Sequence, residues 1–365
     1  MNVCIIGDGL TGLSLAKSLI NKKINVHIYC DKEKNTLITN RTIGISKNNL
    51  DFFKKEILNI KTKNIWKINE IKIYSEKIKN DKIINFKKDK KSLFFILKNH
   101  ELYRSLNINL KKNKRFKKKI IHNNFFYQKL LKENKYDLII NCNAKNFIGK
   151  KYFSRSINKN YNNLAYISIL KHLKIKNNTA IQIFTKYGPI AFLPISETQT
   201  SVVYSLEIRK NKFSDKEIFD LIKEYNPKFI IKKILRLNKF ELKSSNLRNY
   251  YYKNILAFGD GLHQVHPLAG QGFNMIIRDI KNISQIIQNK IDLGIQLDSL
   301  IFEEFEKKTK HTNFIFSNGI DFIYEIFNFN KNIKNQSFNK VLKLLGKNKL
   351  LNNILVKYAD RGLSI

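Results

Sequence analysis

Sixteen residues late in the chain concentrate groups that can do chemistry: Gly259-Asp260-Gly261-Leu262-His263-Gln264-Val265-His266-Pro267-Leu268-Ala269-Gly270-Gln271-Gly272-Phe273-Asn274. They hold an acid, two imidazoles and glycines that let backbone approach a ligand closely. An apolar strand pattern, Ile255-Leu256-Ala257-Phe258, precedes them, and a helical pattern begins near Phe273. The first N–H groups of such a helix have no partner inside it. They carry the positive end of its dipole and so suit an anion or the electron-rich edge of a ligand.

A second glycine loop lies at the other end of the chain. Val3-Cys4-Ile5-Ile6 reads as a buried strand, followed by Gly7-Asp8-Gly9-Leu10-Thr11-Gly12. Leu13, Ala16, Leu19 and Ile20 then recur at helical spacing, and Val26-His27-Ile28-Tyr29 is the next strand. This is the dinucleotide fingerprint in its required strand–turn–helix context. Gly7 makes the tight turn, Gly9 lets backbone approach a pyrophosphate, and Gly12 packs helix on strand. Asp31, 19 residues beyond Gly12, stands where an acid takes ribose hydroxyls.

Three segments in this order carry a resemblance: Gly7 to Gly12, then Asn40-Arg41-Thr42-Ile43-Gly44-Ile45-Ser46, then Gly259 to Asn274. Phe184-Thr185-Lys186-Tyr187-Gly188-Pro189-Ile190-Ala191-Phe192-Leu193-Pro194 adds a fourth. The chain resembles the FAD-dependent aromatic monooxygenases, and within them the ubiquinone-biosynthesis (2-polyprenylphenol) hydroxylases. The resemblance implies an α/β fold, with an FAD-binding Rossmann-like domain of the GR2-type flavoprotein monooxygenases. A sheet-rich substrate domain is interleaved with it, and the C-terminus is helical. It implies FAD as cofactor, NAD(P)H or a reductase as electron donor, and O2 as co-substrate. A C4a-hydroperoxyflavin would hydroxylate a polyprenyl-phenol or quinol ring.

By the same resemblance Gly7, Gly9 and Gly12 hold the pyrophosphate, Asp31 the ribose, and Arg41 lies along the FAD. Asp260 meets the ribityl or pyrophosphate region. Gly270, Gln271, Gly272 and Asn274 complete the cofactor set, and His266, Pro267 and Gly270 form the flavin-facing catalytic loop. His263 and His266 fit a hydrogen-bonded structural role as well as a catalytic one. Two departures stand out. Cys30 occupies the strand-end position usually held by Glu, and Asn141-Cys142-Asn143-Ala144 stands where the family has G-A-D-G. A hydroxylase or reductase of another aromatic or isoprenoid is one alternative. A flavin-binding scaffold without turnover, in a quinone-synthesis complex, is another.

The expected division gives residues 1–65, 96–155 and 250–300 to the FAD domain, 66–95 and 156–249 to the substrate sheet, and 301–365 to C-terminal helices. Ser214-Asp215-Lys216-Glu217 is a capping box, with Phe213 and Ile218 as a hydrophobic staple. The aromatic segment Phe314 to Phe329 reads as helix packed on the sheet, or as an access and membrane-contact face.

A net charge of +39, from 68 basic and 29 acidic residues, would suit nucleic acid or an anionic bilayer. The lysines are scattered among Asn and Ile, arginine is scarce, and no nucleic-acid motif is present, so composition bias and peripheral membrane contact are expected, without nucleic acid. The densest run, Lys111 to Lys119, reads as a solvated strand pair or loop. Cys4, Cys30 and Cys142 have no companion at metal-ligand spacing, so no metal is expected. They suit a reducing cytoplasm. No signal peptide or span is expected. The +39 charge, the aromatic C-terminal helices and the implied polyprenyl substrate lead to an expected peripheral attachment on the inner face of the cytoplasmic membrane.

Overall fold

A computed structural model of the chain describes residues 1–31, 40–76, 82–87, 92–121, 125–133, 135–207, 213–266 and 270–332. The chain opens with β1 (Asn2–Ile6), α1 (Leu10–Asn21), β2 (Asn25–Asp31), β3 (Thr42–Ser46) and α2 (Lys47–Phe52). Next come β4 (Trp66–Ile68), β5 (Glu70–Ser75), β6 (Lys82–Lys87), β7 (Phe94–Lys98), α3 (Asn99–Lys111), β8 (Phe116–Ile121), α4 (Phe125–Lys132), β9 (Leu138–Asn141) and α5 (Phe147–Tyr152). The middle holds β10 (Ser156–His172), β11 (Thr179–Thr185), β12 (Gly188–Pro194), β13 (Gln199–Glu207), α6 (Asp215–Glu224), β14 (Ile231–Ile234) and β15 (Asn238–Leu247). The rest is β16 (Tyr251–Tyr252), β17 (Ile255–Ala257), β18 (His263–Gln264), α7 (Gly272–Asp292) and α8 (Leu300–Asn332).

A six-stranded sheet runs β16-β17-β9-β1-β2-β8, parallel from β17 to β8. Strands buried on both faces read as continuous apolar runs, as Val3-Cys4-Ile5-Ile6 and Leu138-Ile139-Ile140 do. One face packs on α1 and α7 through Leu13, Leu15, Leu19, Ile276, Ile280 and Ile283. A Ser18–Ser284 hydroxyl pair at 2.7 Å ties the two helices together. The start of α8 belongs to this same core through Ile301, Phe302 and Phe305.

A nine-stranded sheet holds β5, β6, β10 to β15 and β18, and α6 covers it. The capping box at Ser214 and Glu217 is formed, and Phe213 packs into the cluster around Ile218 as a staple requires. A small sheet of β3, β7 and β4 joins the two layers. Thus Phe94–Lys98 pairs with β3 of the Arg41 segment, Trp66–Ile68 pairs with the other edge of β7, and His263–Gln264 pairs with β15 of the large sheet. Two of the sequence boundaries are therefore crossed by hydrogen-bonded strands.

The basic run does not form a free loop. Lys111 ends α3, and Phe116–Ile121 is β8, paired in parallel with β2. The aromatic stripe of α8 divides by face. Phe316 and Ile320 pack on Met275, and Tyr324 on Tyr161, whereas Phe314, Ile315 and Phe322 are exposed. Phe327 and Phe329 have side chains outside the described residues.

Candidate functional site

The carboxyl ends of β1, β9 and β17 lie side by side in the parallel sheet. The loops leaving them converge, as ligand loops do at the end of such a sheet. Gly7 has φ +108°, and a Cβ there would touch Cys142 and Asn143 of the loop after β9. A Cβ on Gly12 would sit 2.1 Å from the Gly7 carbonyl oxygen, which is why helix and loop pack only with glycine there. Gly259, at φ +67°, approaches Thr11 of α1 so closely that a Cβ would meet its Cγ2 at 2.5 Å. The two glycine-rich motifs, 247 residues apart between Gly12 and Gly259, are therefore in contact.

Gly9 differs from these. It is the N-cap of α1, with no side-chain cap and no acid in the first turn, and a Cβ there would meet nothing within 4 Å. The helix start is an open cradle with unpaired N–H groups, which fits the phosphates of a dinucleotide. Asp260 lies in a single 3-10 turn, exposed. Its charge, after burial, pushes the Cys142 thiol up. It therefore stands beside the β9 loop, its carboxylate open to a ligand. Arg41 is exposed at the start of β3, and Asp31 ends β2, its side chain outside the described residues.

Gly270 has φ +64°, and its Cβ position lies 3.6 Å from the Gly44 amide nitrogen. The late loop and the Arg41 segment are thus laid edge to edge, with Gln271 as the N-cap of α7. The Gln271 Oε1 is buried beside this loop and has no partner among the described residues. Pro267, together with Leu268 and Ala269, lies outside the described residues.

Asn274 requires a correction. It is fully buried, and its Oδ1 accepts from the Ser46 amide and the Asn49 Nδ2, both at 2.9 Å. Its Nδ2 donates to the Gly44 carbonyl at 3.0 Å and the Gly270 carbonyl at 3.3 Å. Both lone pairs and both hydrogens of the side-chain amide are used, so the side chain has none left for a cofactor; the backbone N–H, in the first turn of α7, is no part of this clamp. Asn274 is the clamp that fixes Gly44 against Gly270.

The two histidines separate cleanly. The His263 Nε2 lies 2.5 Å from the Asp279 Oδ2, both buried, and Asn313 of α8 donates to the other Asp279 oxygen at 3.0 Å. His263 therefore ties β18 to α7 and α8. His266 is buried between aromatic rings, stacked on Tyr324 at 4.4 Å and edge-on to Tyr161 at 5.0 Å. Neither of its ring nitrogens has a partner among the described residues. Burial pushes its imidazole down to about 3, so it is neutral at ordinary pH. The Tyr161 hydroxyl donates to Asp321, and the Tyr324 hydroxyl lies 2.6 Å from the Asn163 amide. Sequence alone did not bring Tyr161 and Tyr324 to His266, because they lie on β10 and α8, far from it in the chain.

The β9 loop keeps its form without the family's acid. Asn141 and Asn146 exchange amide hydrogen bonds at 2.7 and 3.2 Å, and the Asn143 Oδ1 accepts from the Lys145 amide at 3.0 Å. Asp8 and Lys118, neither singled out by sequence, meet at 2.8 Å beside the open cradle. Lys118 was hidden in a run of look-alike lysines.

Comparison with known proteins agrees with this geometry. The FAD binding domain family matches residues 165–292. A ubiquinone biosynthesis monooxygenase of Dictyostelium discoideum is 22% identical over 97% of this chain and 90% of its own length. The 3-demethoxyubiquinol 3-hydroxylase of Escherichia coli is 28% identical over 41% of this chain and 40% of its own. In fold, p-nitrophenol 4-monooxygenase of Pseudomonas putida superposes with a TM-score of 0.77 at 10% identity, covering 100% of this chain and 98% of that one. HpxO of Klebsiella pneumoniae, solved with FAD and uric acid, gives 0.73 at 11% identity, over 100% and 97%. With its glycine motifs in contact and an open cradle at α1, the chain matches an FAD binding domain over residues 165–292 and is similar in sequence to the ubiquinone-biosynthesis monooxygenases and in fold to FAD-dependent monooxygenases.

Proposed function

We propose that this enzyme hydroxylates the aromatic ring of a polyprenylated phenol or quinol during ubiquinone synthesis, with O2 and electrons from NAD(P)H or a partner reductase. The observation that carries the proposal is the convergence of the β1, β9 and β17 loops on the open N-terminus of α1, with Gly270 against Gly44. The names of the Dictyostelium and Escherichia coli relatives support the substrate class. When bound and reduced, FAD supplies O2 activation for transfer of one oxygen atom to an electron-rich ring.

The chain's own residues bind and orient. Gly7, Gly9 and Gly12 admit the pyrophosphate, Asp31 and the exposed Asp260 accept from sugar and ribityl hydroxyls, and Arg41 offsets phosphate charge. Backbone at Gly270, Gln271 and Gly272, with the α7 dipole, favours negative charge on the ring's pyrimidine edge. Neutral His266, between Tyr161 and Tyr324, walls the loop against water. In this reading 1–65, 96–155 and 250–300 hold FAD, 66–95 and 156–249 shape the substrate pocket, and 301–365 are C-terminal helices.

Attachment to the inner face of the cytoplasmic membrane is peripheral in this reading. The +39 charge and exposed Phe314, Ile315 and Phe322 support it, and no described helix is long and apolar enough to cross a bilayer. Asn143 and Ala144 favour a second reading, a flavin-binding scaffold in a quinone-synthesis complex without turnover. Quinone profiling of a strain lacking the protein decides the substrate. A precursor missing one ring hydroxyl should accumulate, and an unchanged profile would refute the assignment. Reductant-driven O2 uptake by purified protein with that precursor separates enzyme from scaffold.

A further inference from the structure

The glycine loop contains a carboxylate where the fold makes an anion site. Asp8 stands between Gly7 and Gly9, one residue before the N-cap of α1. Pyrophosphate in the Gly9 cradle would bring its negative charge beside that of Asp8. At the effective dielectric of a protein surface, such like charges weaken binding on the order of tenfold or more.

The structure already answers this conflict. The Lys118 Nζ lies 2.8 Å from the Asp8 Oδ2, its side chain 14% exposed, and the Tyr103 hydroxyl of α3 lies 3.3 Å from the same oxygen. Lys118 is opposite Ile28 in the β2–β8 register, on the face that packs under α1. Its neighbours Lys117 and Lys119 are exposed and act instead on His27. We propose that Lys118 is a positioning residue for the cofactor: it neutralises Asp8 and so lets the glycine loop accept the FAD pyrophosphate. Burial opposes the charge on Lys118, yet the hydrogen bond and charge of Asp8 outweigh it and hold the ammonium above the ordinary lysine range. The role is electrostatic and needs no direct contact between Lys118 and the phosphates. It rests on reading Gly7 to Gly12 as the pyrophosphate cradle.

FAD dissociation constants of the apoprotein, from quenching of flavin fluorescence at low and high salt, test this. Lys118→Met should weaken FAD binding about tenfold or more, and salt should partly restore it by screening the exposed repulsion. The double variant Asp8→Gly/Lys118→Met should bind within about threefold of wild type, because both members of the pair are gone. A purely structural lysine would show neither the salt response nor the rescue. Unchanged affinity in Lys118→Met overturns the proposal. So does a double variant as weak as the single one, which would make Lys118 a direct ligand. Loss of FAD by Asp8→Asn alone overturns it as well, by making the carboxylate the ligand. Should Lys118→Met not fold, Asp8→Asn and the double variant still decide. Gly9→Val separates the premise: FAD retained there sinks the cradle itself, whereas FAD lost there but kept by Lys118→Met sinks only the role of Lys118.

Discussion

Replacing Asn274 by alanine should damage this protein more than any other single amide at the site. The side chain is fully buried and makes four hydrogen bonds, to Ser46, Asn49, Gly44 and Gly270. Alanine removes all four and leaves buried donors and acceptors facing a small void. Each orphaned buried group costs about 1–3 kcal/mol, but the Asn49 amide keeps a longer bond to the Asn274 carbonyl at 3.3 Å. The sum is then on the order of 4 kcal/mol, a large share of the roughly 5–15 kcal/mol that holds a folded domain together.

Trp66 makes the measurement local. It is the one tryptophan of the chain, and it lies in β4, in the small sheet shared with Gly44. Urea unfolding of the apoprotein, followed by Trp66 fluorescence and by circular dichroism, should show the midpoint falling in both signals. FAD affinity should fall too, because Gly270 is no longer held against Gly44. Asn274→Asp should do no better, since a buried carboxylate oxygen would face the Gly44 and Gly270 carbonyls. A loss below about 1 kcal/mol with unchanged FAD affinity would refute the clamp.

Three further outcomes follow from the same geometry. Gly9→Val should leave the apoprotein's melting temperature nearly unchanged, because its Cβ meets nothing, while abolishing FAD retention; a folded variant with stoichiometric FAD would contradict the cradle. Gly270→Trp, at φ +64°, should lose about 1–2 kcal/mol to backbone strain and block the ring position while ADP still binds. Asp260→Ala should cost the apoprotein little, since the carboxylate is exposed, yet weaken FAD on the order of 1–3 kcal/mol. Equal losses of stability and binding in both of these variants would mean only a structural turn. His266 sets a pH dependence. Burial lowers its imidazole to about 3, against about 6.5 unfolded, so the unfolded chain binds the extra proton between those values. Its contribution is full above about pH 6.5 and is lost as pH falls towards 3, by at most about 1.4 kcal/mol per pH unit. His266→Phe should flatten the acid limb of a stability profile, and an unaltered limb would show that His266 is not buried neutral.

Local chemistry made much of this site legible in the sequence. A glycine forced to positive φ, or one that must let a carbonyl pass, leaves its mark at the position itself, as Gly7 and Gly259 do. The capping box at Ser214 is equally local. Partners set by the fold were not legible. Nothing near Asn274 in sequence announces Ser46 or Gly44, more than 200 residues away, so a saturated clamp read as a cofactor ligand. Nothing distinguishes Lys118 from Lys117 until strand pairing turns one towards Asp8 and the other to solvent. The α8 aromatics likewise needed the packing to show which belong to the core.

The β9 loop decides between enzyme and scaffold, and its departures make a consistent physical set. Ala144 carries a methyl where the resemblance implies glycine, and Gly261 across from it has no side chain. The two positions face each other: a Cβ on Gly261 would lie 3.8 Å from the Ala144 Cβ. The Ala144 methyl therefore fills the contact between the β9 and β17 loops opposite a glycine. Asn143 retains the carboxamide oxygen that accepts from the Lys145 amide, the turn bond an aspartate would also make. The Asn141–Asn146 pair then fixes the loop from below. If shape rather than charge is what this loop contributes, Asn143→Asp should change stability by less than about 0.5 kcal/mol and leave FAD affinity and ring hydroxylation within a few-fold of wild type. Melting temperature, flavin quenching and product formation on that one variant test it. A large rise in hydroxylation would show that the missing carboxylate limits turnover, and would move the natural chain towards the scaffold reading.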